Sequence, residues 1–259
     1  MPFFVTTSLK ASKKAVDLAK KASEHIKITY LPRKNMSLED IEKNYSNDGI
    51  LVVAEKRVTV YKKGKVFFFH PGMAKMRIKA LAMGKTDYMI DAMGFRRGMK
   101  LLDCTLGVGS DAIVASHVAG SAGTVVGLEI NPLIAYVLKT EMGKYKNQSR
   151  VLTEAVRNVN VLNADHAEYL KNVPDNSFDV VYFDPMFKNP FYKSHGISPL
   201  RELADYSPIR SGAIEEACRV AKCRVVMKER FDSSEFARLG FNDIIAAQRS
   251  KIAYGVITV

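Results

Sequence analysis

Two short stretches of the sequence hold residues whose types and spacing suit chemistry. DCTLGVGSDA (103–112) places two acids around two glycines. VVYFDPMF (180–187) is an apolar run that stops on an acid, with a proline and an aromatic residue behind it. In open α/β sheets, ligands bind at the carboxyl ends of the strands, and each stretch has the pattern of such an end. Together they predict one site, with a ligand cradle in the first stretch and a reactive carboxylate in the second.

The glycine turn of the first stretch is typical of a nucleotide-like ligand. Gly107 and Gly109 allow a tight turn and a close approach of the backbone to a ligand. Gly107 to Ala112 matches G-x-G-x-x-A, and Glu129 follows at the end of the next predicted strand, where its carboxylate could bind two ribose hydroxyls. This pattern alone fits NAD and S-adenosylmethionine equally well.

The acids beside the glycine turn favour S-adenosylmethionine. A carboxylate at Asp103 would repel a pyrophosphate, but it suits the cationic amino group and the sulfonium of S-adenosylmethionine. Asp111 adds a second acid. The alternative roles are a strand-end turn residue for Asp103 and a helix cap for Asp111.

The predicted third strand of the sheet ends on Asp165 and His166. Asp165 could accept a hydrogen bond from an adenine amino group, or it could cap the short helix that follows. The residue pattern alone favours a loop or capping role for His166 over that of a catalytic base.

Asp184 is the candidate reactive carboxylate of the second stretch. An exocyclic base amine is a poor nucleophile, because its lone pair is delocalised into the ring. The carboxylate and a backbone carbonyl held rigidly by Pro185 could accept hydrogen bonds from the amine N–H groups. These bonds would stabilise the positive charge that develops on nitrogen. Phe187 could stack on the base, worth about 1–3 kcal/mol. This chemistry requires neither a metal nor a covalent nucleophile.

The elements that would position these residues alternate along the second part of the chain. Apolar strands alternating with amphipathic helices predict a mostly parallel sheet covered on both faces, with an antiparallel C-terminal strand. The first part predicts a small basic α/β module, with a β-rich stretch at 26–31, a capping box at Ser37 and Asp40, and a hairpin at Lys63-Gly64. We expect two domains, 1–80 and 81–259.

The positive charge is confined to the first hundred residues. They hold 21 Lys/Arg and 9 Asp/Glu, a difference of +12, whereas residues 101–259 hold 18 of each. A basic module joined to a neutral one indicates that the first holds a polyanion and the second does the chemistry. A solvated basic surface is the alternative.

The composition limits the classes of protein to consider. An apolar content of 47% can fill a sizeable core, and no apolar run approaches the length of a membrane span, about 18–20 residues. We expect no signal peptide and no metal site, and the three cysteines fit a reduced, cytoplasmic compartment.

The tetrapeptide at 184–187 is similar to the (D/N/S)-P-P-(Y/F) motif of amino-group N-methyltransferases. Residues 88–195 resemble the bacterial small-subunit ribosomal RNA guanine-N2 methyltransferases, in which Asp-Pro-Met-Phe, the 102–116 stretch and Glu129-Ile130-Asn131-Pro132 have counterparts. The resemblance implies a Rossmann-like class I methyltransferase fold. Ser110 and Ile130 replace arginines of that family. With the glycine turn, the candidate cofactor-binding residues are Asp103, Thr105, Gly107, Gly109, Ser110, Asp111, Glu129, Ile130, Asp165, His166 and Asp184, and the candidate catalytic residues are Asp184, Pro185 and Phe187.

The leading hypothesis is an S-adenosylmethionine-dependent N-methyltransferase that acts on RNA, with guanine N2 of small-subunit ribosomal RNA as the preferred target. Lys188, Lys193 and His195 could contact phosphates or form a solvated loop. The alternatives are methylation of DNA or of a small amine, a dehydrogenase, and an inactive methyltransferase-fold protein that only binds RNA. Asp103 argues against the dehydrogenase, and acids at four strand ends argue against the inactive protein.

Overall fold

The computed structural model describes residues 2–45, 47–186, 202–248 and 250–259. Packing groups these residues into two compact units. One comprises residues up to 70 together with 131–144 and the described part of 191–204, and the other comprises the rest. The division into domains at 1–80 and 81–259 stays a prediction.

The elements of both units follow in chain order. The strands are β1 Phe3–Thr7, β2 Gly49–Val53, β3 Val58–Lys62, β4 Lys65–Phe67, β5 Lys100–Asp103, β6 Thr124–Glu129, β7 Val159–Asn163, β8 Phe178–Phe183, β9 Ala221–Arg230, β10 Asp243–Ala246 and β11 Ile252–Thr258. The helices are α1 Lys13–Ile26, α2 Leu38–Asn44, α3 Gly72–Ala82, α4 Tyr88–Met93, α5 Ser110–Ala119, α6 Pro132–Gly143, α7 Arg150–Arg157, α8 His166–Lys171, α9 Ser211–Val220 and α10 Glu235–Arg238.

The N-terminal unit contains a sheet in the order β1-β2-β3-β4, in which β1 is parallel to β2 and the other pairs are antiparallel. Helix α1 begins after Ser12, whose hydroxyl accepts a hydrogen bond from the Ala15 amide at 3.2 Å. The predicted β-rich stretch at 26–31 does not form a strand. The chain leaves α1 through a left-handed Lys27, and Tyr30 then makes a single bridge to Val5.

Two local predictions for this unit are confirmed. Ser37 and Asp40 form the reciprocal hydrogen bonds of a capping box at the start of α2. Lys63 and Gly64, both with positive φ (46° and 73°), turn the hairpin between β3 and β4. A two-residue turn of this kind requires positive φ at both positions, so its twist matches that of the strands.

The second unit contains the predicted mostly parallel sheet. Its order is β10-β11-β9-β8-β5-β6-β7, and the five strands from β9 to β7 run parallel. Strand β11 is antiparallel to β9, and β10 is antiparallel to β11, which confirms the antiparallel C-terminal strand. Buried side chains from both faces of β8 contribute to the core, as expected for a parallel sheet that is covered on both faces.

Helix α7 was not predicted from the sequence. Ser149 caps it by accepting a hydrogen bond from the Leu152 amide at 3.2 Å, and Leu152, Ala155 and Val156 are buried. These residues have the i, i+3, i+4 spacing of an amphipathic helix, so the signal was present in the sequence.

None of the helices among the described residues is long and apolar enough to cross a membrane.

Candidate active site

Four strands of the large sheet bring the predicted acids to one edge. Strands β8, β5, β6 and β7 are parallel neighbours, so their carboxyl ends meet. Asp103 ends β5, Glu129 ends β6, Asp184 follows β8 and Asp165 follows β7 by two residues. The sheet order therefore assembles these acids at one edge, although as many as 81 residues separate them along the chain.

The glycine turn lies above this edge and is held by hydrogen bonds. Gly107 and Gly109 have φ values of 54° and 75°, which L-residues with a side chain rarely adopt. The Leu106 amide donates to the Leu128 carbonyl at 2.9 Å, and the Gly107 amide donates to the Glu129 carboxylate at 3.2 Å. The Glu129 carboxylate therefore helps to hold the turn in place.

Gly127 allows the turn to pack onto strand β6. A Cβ atom at this position would lie 2.5 Å from Cδ1 of Leu106. Leu106 is buried, so its side chain occupies the space that a side chain at residue 127 would need. The absence of a side chain at Gly127 therefore allows the glycine turn to pack directly on β6.

Asp103 and Thr105 connect the glycine turn to Asp184. The Asp103 carboxylate, 1% exposed, accepts a hydrogen bond from the Thr105 amide at 3.0 Å, and burial raises its pKa well above the ordinary value. The Thr105 hydroxyl in turn accepts a hydrogen bond from the Asp184 amide at 2.5 Å. The predicted cofactor cradle and the predicted reaction centre are therefore one hydrogen-bonded structure.

The Asp184 carboxylate lies beside Lys228, which no pattern in the sequence singled out. Lys228 Nζ donates to Oδ2 of Asp184 at 2.8 Å and lies 3.1 Å from Oδ2 of Asp111. Burial and the nearby Asp111 raise the pKa of Asp184 to about 6, while Lys228 acts in the opposite direction. With 29% of its side chain accessible, Asp184 is packed by protein yet open on one side.

Asp111 lies in the first turn of α5, and its carboxylate forms ion pairs where a capping bond had been one expectation. It binds the Arg77 guanidinium, accepts a hydrogen bond from the Tyr182 hydroxyl at 2.8 Å and faces Lys228. Burial alone would raise the pKa of Asp111, but Lys228 and Arg77 outweigh it and hold the pKa below the ordinary value. Gly109, which has no side chain, is the N-cap of α5.

Arg77 extends this network to helices α3 and α4. Its Nε and Nη2 bind the two carboxylate oxygens of Asp87 at 2.8 and 2.9 Å. Burial alone would lower the pKa of Arg77, but the carboxylates of Asp87 and Asp111 outweigh burial, so the pKa lies above its ordinary value. One signal for each of these cations was present in the sequence: Arg77 lies among the apolar residues of α3, and Lys228 directly follows the apolar run at 225–227 in β9.

The third strand end shows the capping role that the sequence allowed. Asp165 accepts hydrogen bonds from the Ala167 and Glu168 amides, at 2.7 and 3.2 Å, and so caps α8. His166 packs edge-on against Phe183, with ring centroids 5.6 Å apart, and burial lowers its pKa.

The remaining candidates have simpler surroundings. Ile130, 42% exposed, follows Glu129 at the end of β6, and Ser110 is the first residue of α5. Pro185 follows Asp184 directly, as predicted. Phe187 and the possible phosphate contacts Lys188, Lys193 and His195 lie outside the described residues. In the described ranges, no three His, Cys, Asp or Glu side chains are grouped so that they could hold a metal ion.

This donor set fits S-adenosylmethionine. Glu129 ends β6 beside the turn, where an acid that binds ribose hydroxyls is expected, and the turn of Gly107 and Gly109 permits close backbone approach. The buried Asp103 beside the turn suits a cationic amino group and disfavours a pyrophosphate.

The fold and the site together define a class I S-adenosylmethionine-dependent methyltransferase. The SAM_MT family model of SAM-dependent methyltransferases matches residues 34–238, and the chain belongs to that family. Its cofactor is S-adenosylmethionine.

The relatives agree with this assignment. The chain is 41% identical to the uncharacterized protein YpiP of Bacillus subtilis over 98% of both chains. It is 26% identical to the ribosomal RNA small subunit methyltransferase J of Vibrio parahaemolyticus over 71% of this chain and 76% of that one. The resemblance noted in the sequence is confirmed as a distant one.

A solved structure shows the same fold. The SAM-dependent methyltransferase NGO1261 of Neisseria gonorrhoeae aligns with a TM-score of 0.65 and 14% identity, over 98% of this chain and 95% of that one. The predicted fold class, a Rossmann-like methyltransferase sheet with a small N-terminal α/β unit, is confirmed.

Proposed function

We propose that this protein transfers a methyl group from S-adenosylmethionine to an exocyclic base amine of RNA, with guanine N2 of small-subunit ribosomal RNA as the target. The observation that carries the proposal is the Asp184 carboxylate. It follows β8 beside the cofactor cradle, tied to that cradle through Thr105 and partly open to solvent. A carboxylate in this place can accept a hydrogen bond from an amine.

The residues of the chain have distinct tasks in this reaction. Asp103, Glu129 and the glycine turn would hold S-adenosylmethionine, whose sulfonium would supply an electrophilic methyl group and be left as a neutral thioether. Asp184 accepts a hydrogen bond from an N–H group of the target amine, which orients the nitrogen lone pair and stabilises the positive charge that develops on nitrogen. The same carboxylate can take the proton that the methylated nitrogen then releases. Pro185 holds a backbone carbonyl as a second acceptor. Phe187 is proposed to stack on the base.

The RNA target rests on charge and on the relatives. The excess positive charge lies entirely in the first hundred residues, and helix α1 exposes Lys13, Lys14, Lys20 and Lys21. Lysines of this kind bind phosphates without reading sequence, so they suit a long RNA better than a free nucleotide or a small amine. The Vibrio relative that carries the name of a ribosomal RNA methyltransferase aligns with 71% of this chain.

The decisive experiment compares Asp184→Ala with Asp175→Ala, an exposed acid paired to Arg219 on the surface. Methyl transfer from labelled S-adenosylmethionine to small-subunit ribosomal RNA should fall by about 100- to 1,000-fold in Asp184→Ala, while cofactor binding by calorimetry largely persists. Asp175→Ala should match the native protein. Undiminished transfer in Asp184→Ala would remove Asp184 from the mechanism.

The substrate is tested with the native protein. Small-subunit RNA, DNA and small amines are each incubated with labelled cofactor, and the RNA product is digested to nucleosides. N2-methylguanosine in the digest supports the proposal. Label in DNA or small amines alone contradicts the RNA target, and RNA binding without any transfer identifies an inactive RNA-binding protein.

A further inference from the structure

Lys228 stands next to Asp184 because of the sheet register. In the parallel pair β8 and β9, Phe183 is opposite Met227, so the next residues, Asp184 and Lys228, leave the sheet side by side. The lysine side chain is 22% exposed, and its ammonium contacts both Asp184 and Asp111. The buried Asp111 and the partly exposed Asp184 therefore share one cation at the reaction centre.

Most groups around Asp184 oppose its ionisation. Among the described residues, Lys228 is the cation in direct contact with it. The carboxyl groups of Asp111 from α5, Asp103 from β5 and Glu229 from β9 all act on this region. The Tyr182 hydroxyl of β8 donates to Asp111. Arg77 of α3 is already shared by Asp87 and Asp111, and Tyr254 of β11 lies opposite Lys228.

The charge on Asp184 matters because of the chemistry. A neutral carboxylic acid beside an amine stabilises the developing positive charge far less than a carboxylate does. Burial and the neighbouring carboxyl groups favour the neutral form, and an ammonium at 2.8 Å favours the charged one. The bond from Lys228 is made to Oδ2, so it also restrains the orientation of the carboxylate.

We propose that Lys228 is a positioning residue for methyl transfer: its ammonium keeps the Asp184 carboxylate ionised and oriented towards the substrate amine. This inference rests on the proposed role of Asp184. Lys228 acts through Asp184 and Asp111 and touches neither the methyl group nor the amine. None of the residues chosen from the sequence pattern has this task.

The first test is the pH profile of methyl transfer in Lys228→Met, Lys228→Arg and the control Lys222→Met. Lys222 lies on the same strand but is exposed at its other end. Burial and Asp111 raise the pKa of Asp184 to about 6 even with the lysine present. In Lys228→Met, the acid limb of the kcat/KM profile should shift to higher pH by about one unit or more. On that limb kcat/KM should therefore be about tenfold lower than in the native protein at the same pH, and at higher pH it should return towards the native value.

The other variants decide how that result is read. Lys228→Arg keeps a cation and should retain the native limb, and Lys222→Met should behave as the native protein. An equal loss at every pH in Lys228→Met, or an unmoved limb, overturns the proposal. If Lys228→Met does not fold, Lys228→Gln, which keeps an N–H donor without the charge, provides the same comparison.

A second measurement does not depend on RNA. Carboxyl carbon signals of aspartate-labelled protein are titrated by NMR, and Asp184→Asn identifies the Asp184 signal. Its midpoint should rise by about one unit in Lys228→Met. If the midpoint rises and no RNA is methylated, the proposed function fails and the role of Lys228 in ionising Asp184 stands. If native protein methylates RNA and the midpoint is unchanged by the substitution, the lysine proposal fails alone.

Discussion

In the unit with the seven-stranded sheet, Arg77 and Lys228 are each bound by two carboxylates, whereas the lysines of α1 in the N-terminal unit extend into solvent. The ion pair of Lys14 with Glu55 shows the second situation, with 74% and 42% of the two side chains exposed. Asp111, by contrast, has an 11% exposed side chain. The same residue types are thus held in two very different dielectric environments.

The degree of burial determines how each unit can use its charges. Buried pairs interact strongly over short distances, and removing one partner leaves the other uncompensated. Exposed lysines are screened within about 8 Å at physiological salt, and each contributes little by itself. The first arrangement suits a fixed catalytic geometry, and the second suits a long polyanion bound by many weak contacts.

Removing Asp111 should give the largest effect on stability. In Asp111→Ala, Arg77 and Lys228 lose a buried carboxylate, and the free energy of unfolding should fall by about 3–5 kcal/mol. Chemical denaturation measures this change. The matched control is Asp232→Ala, which removes the surface partner of Arg230 and should cost about 1 kcal/mol or less. Equal losses in the two variants would show that the two kinds of ion pair do not differ in strength.

Replacing Glu129 tests a buried acid that is proposed to bind a ligand. Glu129→Gln removes the negative charge that holds the Gly107 amide and that is proposed to bind ribose hydroxyls. Hydrogen bonds to a charged group are worth about 1.5–3 kcal/mol. Affinity for S-adenosylmethionine, measured by calorimetry, should therefore fall by about 10- to 100-fold. Glu215→Gln, on the exposed face of α9, should leave the affinity unchanged. Native affinity in Glu129→Gln would separate this acid from the cofactor site.

Local sequence signals predicted much of the fold and part of the site. The Lys63-Gly64 hairpin, the Ser37 capping box and the glycine turn each depend on residues within a few positions of one another. The alternation of strands and helices after residue 100 predicted the parallel sheet. These features are readable because propensity and turn chemistry act locally.

The ion-pair network could not be predicted in the same way. Lys228 meets Asp184 through the order and register of β8 and β9, and Arg77 reaches Asp111 from 34 positions earlier in the chain. Asp111 was predicted to bind the cofactor or to cap α5, since its neighbours in sequence gave no sign of these cations. The prediction of β structure at 26–31 was wrong, because this segment makes a single bridge to β1 and forms no strand.

The packing under the glycine turn offers a smaller test of the same unit. Gly127→Ala places a methyl group 2.5 Å from the Leu106 side chain and should cost about 1–3 kcal/mol of unfolding free energy. The control is Gly143→Ala at the end of α6, where an added Cβ meets nothing within 4 Å. That substitution should be neutral or stabilising by about 0.4–1 kcal/mol. A neutral Gly127→Ala would show that Leu106 can move without cost.

Neutralising the exposed lysines should have the smallest effect per residue and a different signature. The triple variant of Lys13, Lys20 and Lys21 to Gln should lower RNA affinity and reduce the slope of log affinity against log salt by about 2, since each lost contact with single-stranded phosphate contributes about 0.7. Unfolding free energy should stay close to native, because these lysines are exposed.

The control for the lysine variant neutralises Lys146, Lys171 and Lys222, three exposed lysines of the other unit. It removes the same net charge, so a general electrostatic attraction would lower the salt slope equally in both variants. A reduced slope in the α1 variant alone assigns phosphate binding to the N-terminal unit. An equal reduction in both variants would mean that RNA is attracted by total charge, and that the lysines of α1 form no binding surface of their own.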